Sequence, residues 1–112
     1  MGKRKQHGIP EQVMKQVDAI VQDFNKTIIK DLNRYFIARY KGAYLYLDRM
    51  DYDFVSHMCR LKYTGSMDAW EFAIFKYSDE RYDPDEWLFP GSGQVDGTIA
   101  GALKASLKAY PD

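Results

Sequence analysis

Between Tyr35 and Tyr77 the chain alternates with a period of two, and no other stretch constrains the fold as strongly. Four runs carry the pattern: YFIARY, AYLYLDR, HMCRLKY and WEFAIFKY. Each is rich in aromatic side chains, which favour a pleated, half-buried surface, and most interleave them with Arg or Lys. They read as strands over residues 35–40, 43–49, 57–63 and 69–77 of one antiparallel sheet. In the second run Ala43, Leu45 and Leu47 share one face, and Tyr44, Tyr46 and Asp48 the other. In the third, Cys59 and Leu61 oppose Arg60 and Lys62, with His57 expected on the Cys59 side. Lys41-Gly42 marks a tight turn or a bulge between the first two strands, and the acidic stretch 50–55 reads as a loop.

The fourth run is apolar on both faces, with Trp70, Phe72 and Ile74 against Ala73, Phe75 and Tyr77. A strand at the edge of a four-stranded meander would have one wet face, so its second side must be covered. Trp87-Leu88-Phe89, beyond a polar link over 78–86, is the nearest cover in the chain, and a second subunit is the other.

Outside this tract the period is 3.6. Pro10 and Glu11 suit a helix start, and Val13, Val17, Ile20, Phe24 and Ile28, widened by Met14 and Val21, make an apolar stripe. Thr98 after Gly97 is a plausible N-cap for a last helix, with Ile99, Leu103, Leu107 and Tyr110 as its stripe and Pro111 as its end. The fold class is therefore α+β, of order α-β-β-β-β-α, with both helices packed on one face of an antiparallel sheet. Residues 9–112 make a single domain behind a disordered basic tail at 1–8.

Composition narrows the function classes. The chain has 112 residues, one domain's worth, with 16 basic and 16 acidic side chains. At zero net charge it has no global field to gather nucleic acid or an acidic membrane surface. A single cysteine, Cys59, leaves no intrachain disulfide, and no apolar run has the ~18–20 residues of a membrane span. With no apolar signal stretch in the basic opening, the expected location is cytoplasmic, with no membrane association.

No motif supplies a cofactor or catalytic constellation. Gly91, Gly93 and Gly97 fail the dinucleotide fingerprint, whose third glycine would fall on Asp96, and no Gly-Lys-Ser/Thr completes a P-loop, so no cofactor is expected. His57 and Cys59 lack the partners for a zinc site. The acidic groups Asp48, Asp51, Asp53 and Asp79, Glu80, Asp83, Asp85, Glu86 match no calcium loop and read as solvated loops. The strongest candidate is the sheet face opposite Leu45 and Leu47. It carries Tyr44, Tyr46, Arg60 and Lys62, with Arg39 added by one choice of register. Tyrosines beside cations suit a protein contact, or base stacking with phosphate contact. The plainer alternative is a packed face lying under residues 82–90, with Arg and Lys stems across the rings.

The run R-Y-K-G-x-Y-x-Y-L-D at residues 39–48, C-R-L-x-Y-x-G at 59–65 and W-x-F-A-I-x-K-Y-S-x-E-x-Y at 70–82, with the late Gly97-Thr98, resembles a small family of uncharacterised bacterial and archaeal proteins of about this length. The resemblance spans residues 35–110 and implies one compact domain, with no catalytic residue. That family often has Pro-Glu-Glu after the Gly-Thr. Ile99-Ala100-Gly101 stands here instead, which implies a weaker N-cap. The functional expectation is a small cytoplasmic, non-enzymatic binding module, with a protein partner or a second copy as its partner. A nucleic-acid binder using the Tyr/Arg/Lys face is the first alternative, and nucleic acid is not the expected partner. An enzyme with an acidic or His57/Cys59 site is the second.

Overall fold

The computed structural model describes residues 8–111. The basic tail expected over 1–8 lies, apart from Gly8, outside the described residues. Helix α1 (Glu11–Phe24) leads into a π-helical turn (Asn25–Ile29), five strands and helix α2 (Ile99–Ala109). The strands are β1 (Arg34–Lys41), β2 (Tyr44–Asp51), β3 (Phe54–Lys62), β4 (Glu71–Lys76) and β5 (Arg81–Asp83). They form one antiparallel meander in chain order.

One face of the sheet holds the core. Leu45, Leu47, Cys59, Leu61, Phe72 and Ile74 meet Val17, Val21 and Phe24 of α1 and Ile99, Ala102 and Leu103 of α2, all buried. Both helices therefore pack on one face, as the two periodicities predict. Thr98 caps α2 as expected: its Oγ1 accepts from the Gly101 amide at 3.0 Å. Asp96 Oδ1 in turn accepts from the Thr98 amide at 3.1 Å and hydroxyl at 2.6 Å, which holds the Asp96 carboxyl below its usual range. Gly101 is what permits this, because a Cβ there would stand 2.2 Å from Asp96 Oδ1. The cap is thus built around the residue that seemed to weaken it.

Three expectations about the sheet are corrected. The stretch 50–55 is not a loop: Asp51 pairs with Phe54, so only Tyr52 and Asp53 make the turn, with Tyr52 at φ +60°. The polar link at 78–86 contains a fifth strand, since Tyr82 pairs with Phe75 and Asp83 with Ile74. β4 is therefore an inner strand. Its second side is covered by Tyr82, whose ring centroid lies 4.9 Å from that of Phe75. Trp87 and Phe89 instead pack against Phe72 on the helix side, at 6.1 and 6.0 Å.

The α1 stripe also ends early. Ile28 is exposed, while Ile29 packs against the core. The π turn adds a residue to the helical repeat and rotates Ile28 outward. Asn25, at its start, bonds the edge strand: its Nδ2 donates to the Phe36 carbonyl at 2.9 Å and its Oδ1 accepts from the Phe36 amide at 2.7 Å. One side chain thus takes the place of a neighbouring strand at an otherwise open edge.

Candidate functional site

The outer face of the sheet is the one no helix covers. Register places Arg39 opposite Tyr46, Tyr46 opposite Arg60, and Lys41 and Lys62 on either side of Tyr44. All five residues predicted for this face, Arg39, Tyr44, Tyr46, Arg60 and Lys62, come together on it. Tyr44, Tyr46 and Arg60 are half-buried, while Arg39 and Lys62 are exposed. The Arg39 guanidinium lies 4.5 Å from the centroid of Tyr46, and that of Arg60 lies 4.6 Å from Tyr44 and 5.6 Å from Tyr82. Each such pair contributes about 0.5–1 kcal/mol at an exposed site.

The centre of the face was not foreseen. Leu47 pairs with Cys59 and Asp48 with His57, so Met58 is the extra residue of a bulge in β3. The bulge reverses the alternation on one side of it. Cys59 faces the helices and His57 faces outward, so the two do not share a face, and the site proposed for the pair does not form. Cys59 is fully buried, accepts from the Ser106 hydroxyl at 3.3 Å, and its pKa is pushed up to about 12 by burial.

His57 instead meets Asp48. Its Nδ1 lies 3.0 Å from Asp48 Oδ1. Arg39 donates to the same carboxylate, from Nε to Oδ2 at 3.0 Å and from Nη2 to Oδ1 at 3.4 Å. The pairing with Asp48 raises the pKa of Arg39. Asp48 is 2% exposed, whereas the side chains of Arg39 and His57 keep 46% and 45% of their surface. Asp48, expected in a solvated loop, is thus a buried carboxylate under two half-exposed side chains. The signal was its place in the Tyr44-Tyr46-Asp48 alternation, on the same face as both tyrosines.

Above this carboxylate lies a basin of about 590 Å3. Its walls are Tyr46, Phe75, Tyr77 and Tyr82, its floor Arg39 and His57, and its rim Lys41 and Glu80. The rings touch edge to face: Tyr46 and Tyr82 at 5.3 Å, Phe75 and Tyr77 at 4.8 Å, with His57 5.1 Å from Phe75. The Tyr77 hydroxyl donates to the His57 carbonyl at 2.8 Å and fixes the backbone at the bulge. Burial pushes the Tyr82 pKa up to about 12. Its hydroxyl makes no hydrogen bond, although Arg39 is close enough to favour its ionised form.

Of the other acidic residues in those two groups, Asp51, Asp79, Asp83 and Glu86 are paired, while Asp53, Glu80 and Asp85 are exposed, as expected. Asp51 binds Arg49 at 2.8 Å, and Arg49 donates from Nη1 to the Tyr110 carbonyl at 2.5 Å, at the end of α2. Lys76 gathers Glu86 at 3.1 Å, Asp79 at 3.6 Å and Asp83 at 3.7 Å. These contacts anchor β5 and replace the solvated loop expected there. Among the described residues no cluster of His, Cys, Asp and Glu has the arrangement to hold a metal ion. Nor, among them, is any helix long and apolar enough to cross a membrane. A second concavity of about 570 Å3, lined by Gln22, Asn25, Lys26, Lys30, Asp31, Leu32 and Tyr35, flanks the π turn without a buried ionic floor.

Comparison with protein-family models, curated proteins and solved structures finds no match to this chain.

Proposed function

We propose that the protein is a non-enzymatic binding module whose recognition surface is the outer face of its sheet, centred on the basin over Asp48. The observation that carries this reading is the buried Asp48 carboxylate, held by Arg39 and His57 at the floor of an aromatic basin. A buried ion pair adds little net stability, because desolvation offsets its attraction. This one lies on the face away from the helices, where it ties no layer of the core together. Concave, largely apolar walls with a few convergent polar groups are the general form of a ligand site, and the volume falls within the usual ~300–1,000 Å3. The single buried thiol supports a reducing, cytoplasmic setting.

Two observations rank the alternatives. Base stacking needs free ring faces, and the guanidinium groups of Arg39 and Arg60 already lie on Tyr46 and Tyr44. This favours a protein or small-molecule ligand over nucleic acid. The Asp48–His57 pair favours an enzyme as the second reading: a carboxylate that takes Nδ1–H leaves Nε2 as a general base.

The test is a chemical-shift map. Isotope-labelled protein is titrated with a mixture of small aromatic fragments. The amides of Arg39, Tyr46, His57 and Tyr82 should move while those of α1 and α2 stay still. Shifts confined to Gln22, Lys26 and Tyr35 would move the recognition surface to the π-turn concavity and reject the proposal.

A further inference from the structure

The chemistry of the basin selects among ligands. From the arrangement of Arg39, His57 and the surrounding rings we infer that it takes a flat aromatic molecule bearing one oxyanion, a carboxylate or a phosphate. This rests on the outer face being the recognition surface.

Charge is the first argument. Asp48 lies beneath Arg39 and His57, is 2% exposed, and has both oxygens engaged by them. A ligand on the floor therefore meets the guanidinium and the imidazole, not the carboxylate. Asp48 binds Arg39 through Nε and Nη2, Nη1 takes no part in that pair, and the Tyr82 hydroxyl lies beside the guanidinium. His57 engages Asp48 through Nδ1, which leaves Nε2 as its other polar ring atom at the floor. Charge-assisted hydrogen bonds from a guanidinium to an oxyanion are about twice as strong as neutral ones.

Orientation is the second. Glu80 is the one acidic residue lining the basin, against the basic Arg39 and Lys41. An anionic group is repelled at Glu80 and attracted at the floor, so the oxyanion points down. The rest of the ligand then lies among Tyr46, Phe75, Tyr77 and Tyr82. Those rings meet each other at 64–77° between planes. Tyr46 already carries the Arg39 guanidinium, so Phe75, Tyr77 and Tyr82 are the rings that present faces and edges, which suits another ring in an offset or edge-on position better than an alkyl chain. A cationic ligand would meet Arg39 and Lys41 and is disfavoured.

The experiment is a calorimetric and NMR titration of the full chain near pH 6.5 with five probes: 4-hydroxybenzoate, phenyl phosphate, 4-hydroxybenzamide, cyclohexanecarboxylate and inorganic phosphate. At least one aromatic oxyanion should bind saturably, shifting the His57 ring and the Tyr46 and Tyr82 resonances, and the tighter of the two identifies carboxylate or phosphate. The amide, the saturated ring and inorganic phosphate should each bind at least about tenfold more weakly, a difference of ~1.4 kcal/mol. Arg39→Gln and His57→Gln should each weaken binding about tenfold or more. If Arg39→Gln fails to fold, Arg39→Lys, which keeps the charge but loses the fork, should show the same loss. Equal binding of the amide at the outer face would overturn the oxyanion requirement, and equal binding of the saturated ring the aromatic one; either overturns the inference and leaves the recognition surface standing. Outer-face resonances unmoved by all five probes and by the aromatic fragments would remove both.

Discussion

His57 Nδ1 and Asp48 Oδ1 stand 3.0 Å apart across a bulge that a single residue, Met58, inserts into β3. Were Met58 taken into regular alternation instead of a bulge, His57 would turn toward the helices, beside Cys59. With the bulge, an imidazole joins a carboxylate and an arginine on a sheet face rich in tyrosines and cations. The bulge converts a basic, aromatic surface into a basin with a polar floor.

The opposite face is the folding core, and Leu45 is at its centre, with no exposed surface. Leu45→Ala should cost about 2–5 kcal/mol, from lost transfer energy plus the cavity left behind. Urea unfolding measures it. A loss below ~1 kcal/mol would show that this face is not the one packed against the helices.

Cys59 should behave as core. Burial raises its folded pKa from near 9 to about 12, more than the Ser106 hydroxyl lowers it. A folded pKa above the unfolded one means stability that is fully present below pH ~9 and is lost as pH rises toward 12. Tyr82 and other tyrosines with raised values add to the same alkaline slope. The difference between wild type and Cys59→Ala isolates the thiol: their stabilities should converge as pH rises from 9 to 12. Native protein should react with a thiol reagent far more slowly than unfolded protein. Labelling equally fast in both states would contradict this.

Gly101→Ala sets two effects against each other. Alanine has the better helix propensity by about 1 kcal/mol. Its Cβ, however, would stand 2.2 Å from Asp96 Oδ1 and 2.5 Å from the Gln94 carbonyl, so the cap must shift. The clash should win, with a net loss of about 1–3 kcal/mol in chemical unfolding. A gain in stability would show that the Asp96–Thr98 turn yields at no cost.

Much of this was legible in the sequence, and what was not has specific causes. The α1 stripe, the alternation of Leu45 and Leu47 against Tyr44 and Tyr46, and the Thr98 cap follow from local periodicity and side-chain chemistry. The Met58 bulge does not, because a bulge leaves the sequence pattern as it is while moving His57 to the other face. β5 was hidden by its length and polarity: Arg81, Tyr82 and Asp83 resemble a loop until Lys76 supplies the countercharge. Ile28 was misplaced because the π turn depends on Asn25 reaching the backbone of β1, eleven residues away. The basin residues could be placed on one face. The Arg39–Asp48–His57 cluster required the register.

The central claim is that this cluster belongs to a recognition surface and not to the fold. The triple variant Arg39→Met, Asp48→Leu, His57→Phe replaces it with apolar side chains of similar bulk. Urea unfolding of that variant beside wild type is the most direct test. Buried ion clusters replaced in this way are often neutral or stabilising, so its stability should stay within about 1 kcal/mol of wild type or exceed it. A loss of about 3 kcal/mol or more would make the cluster a folding element and contradict the account.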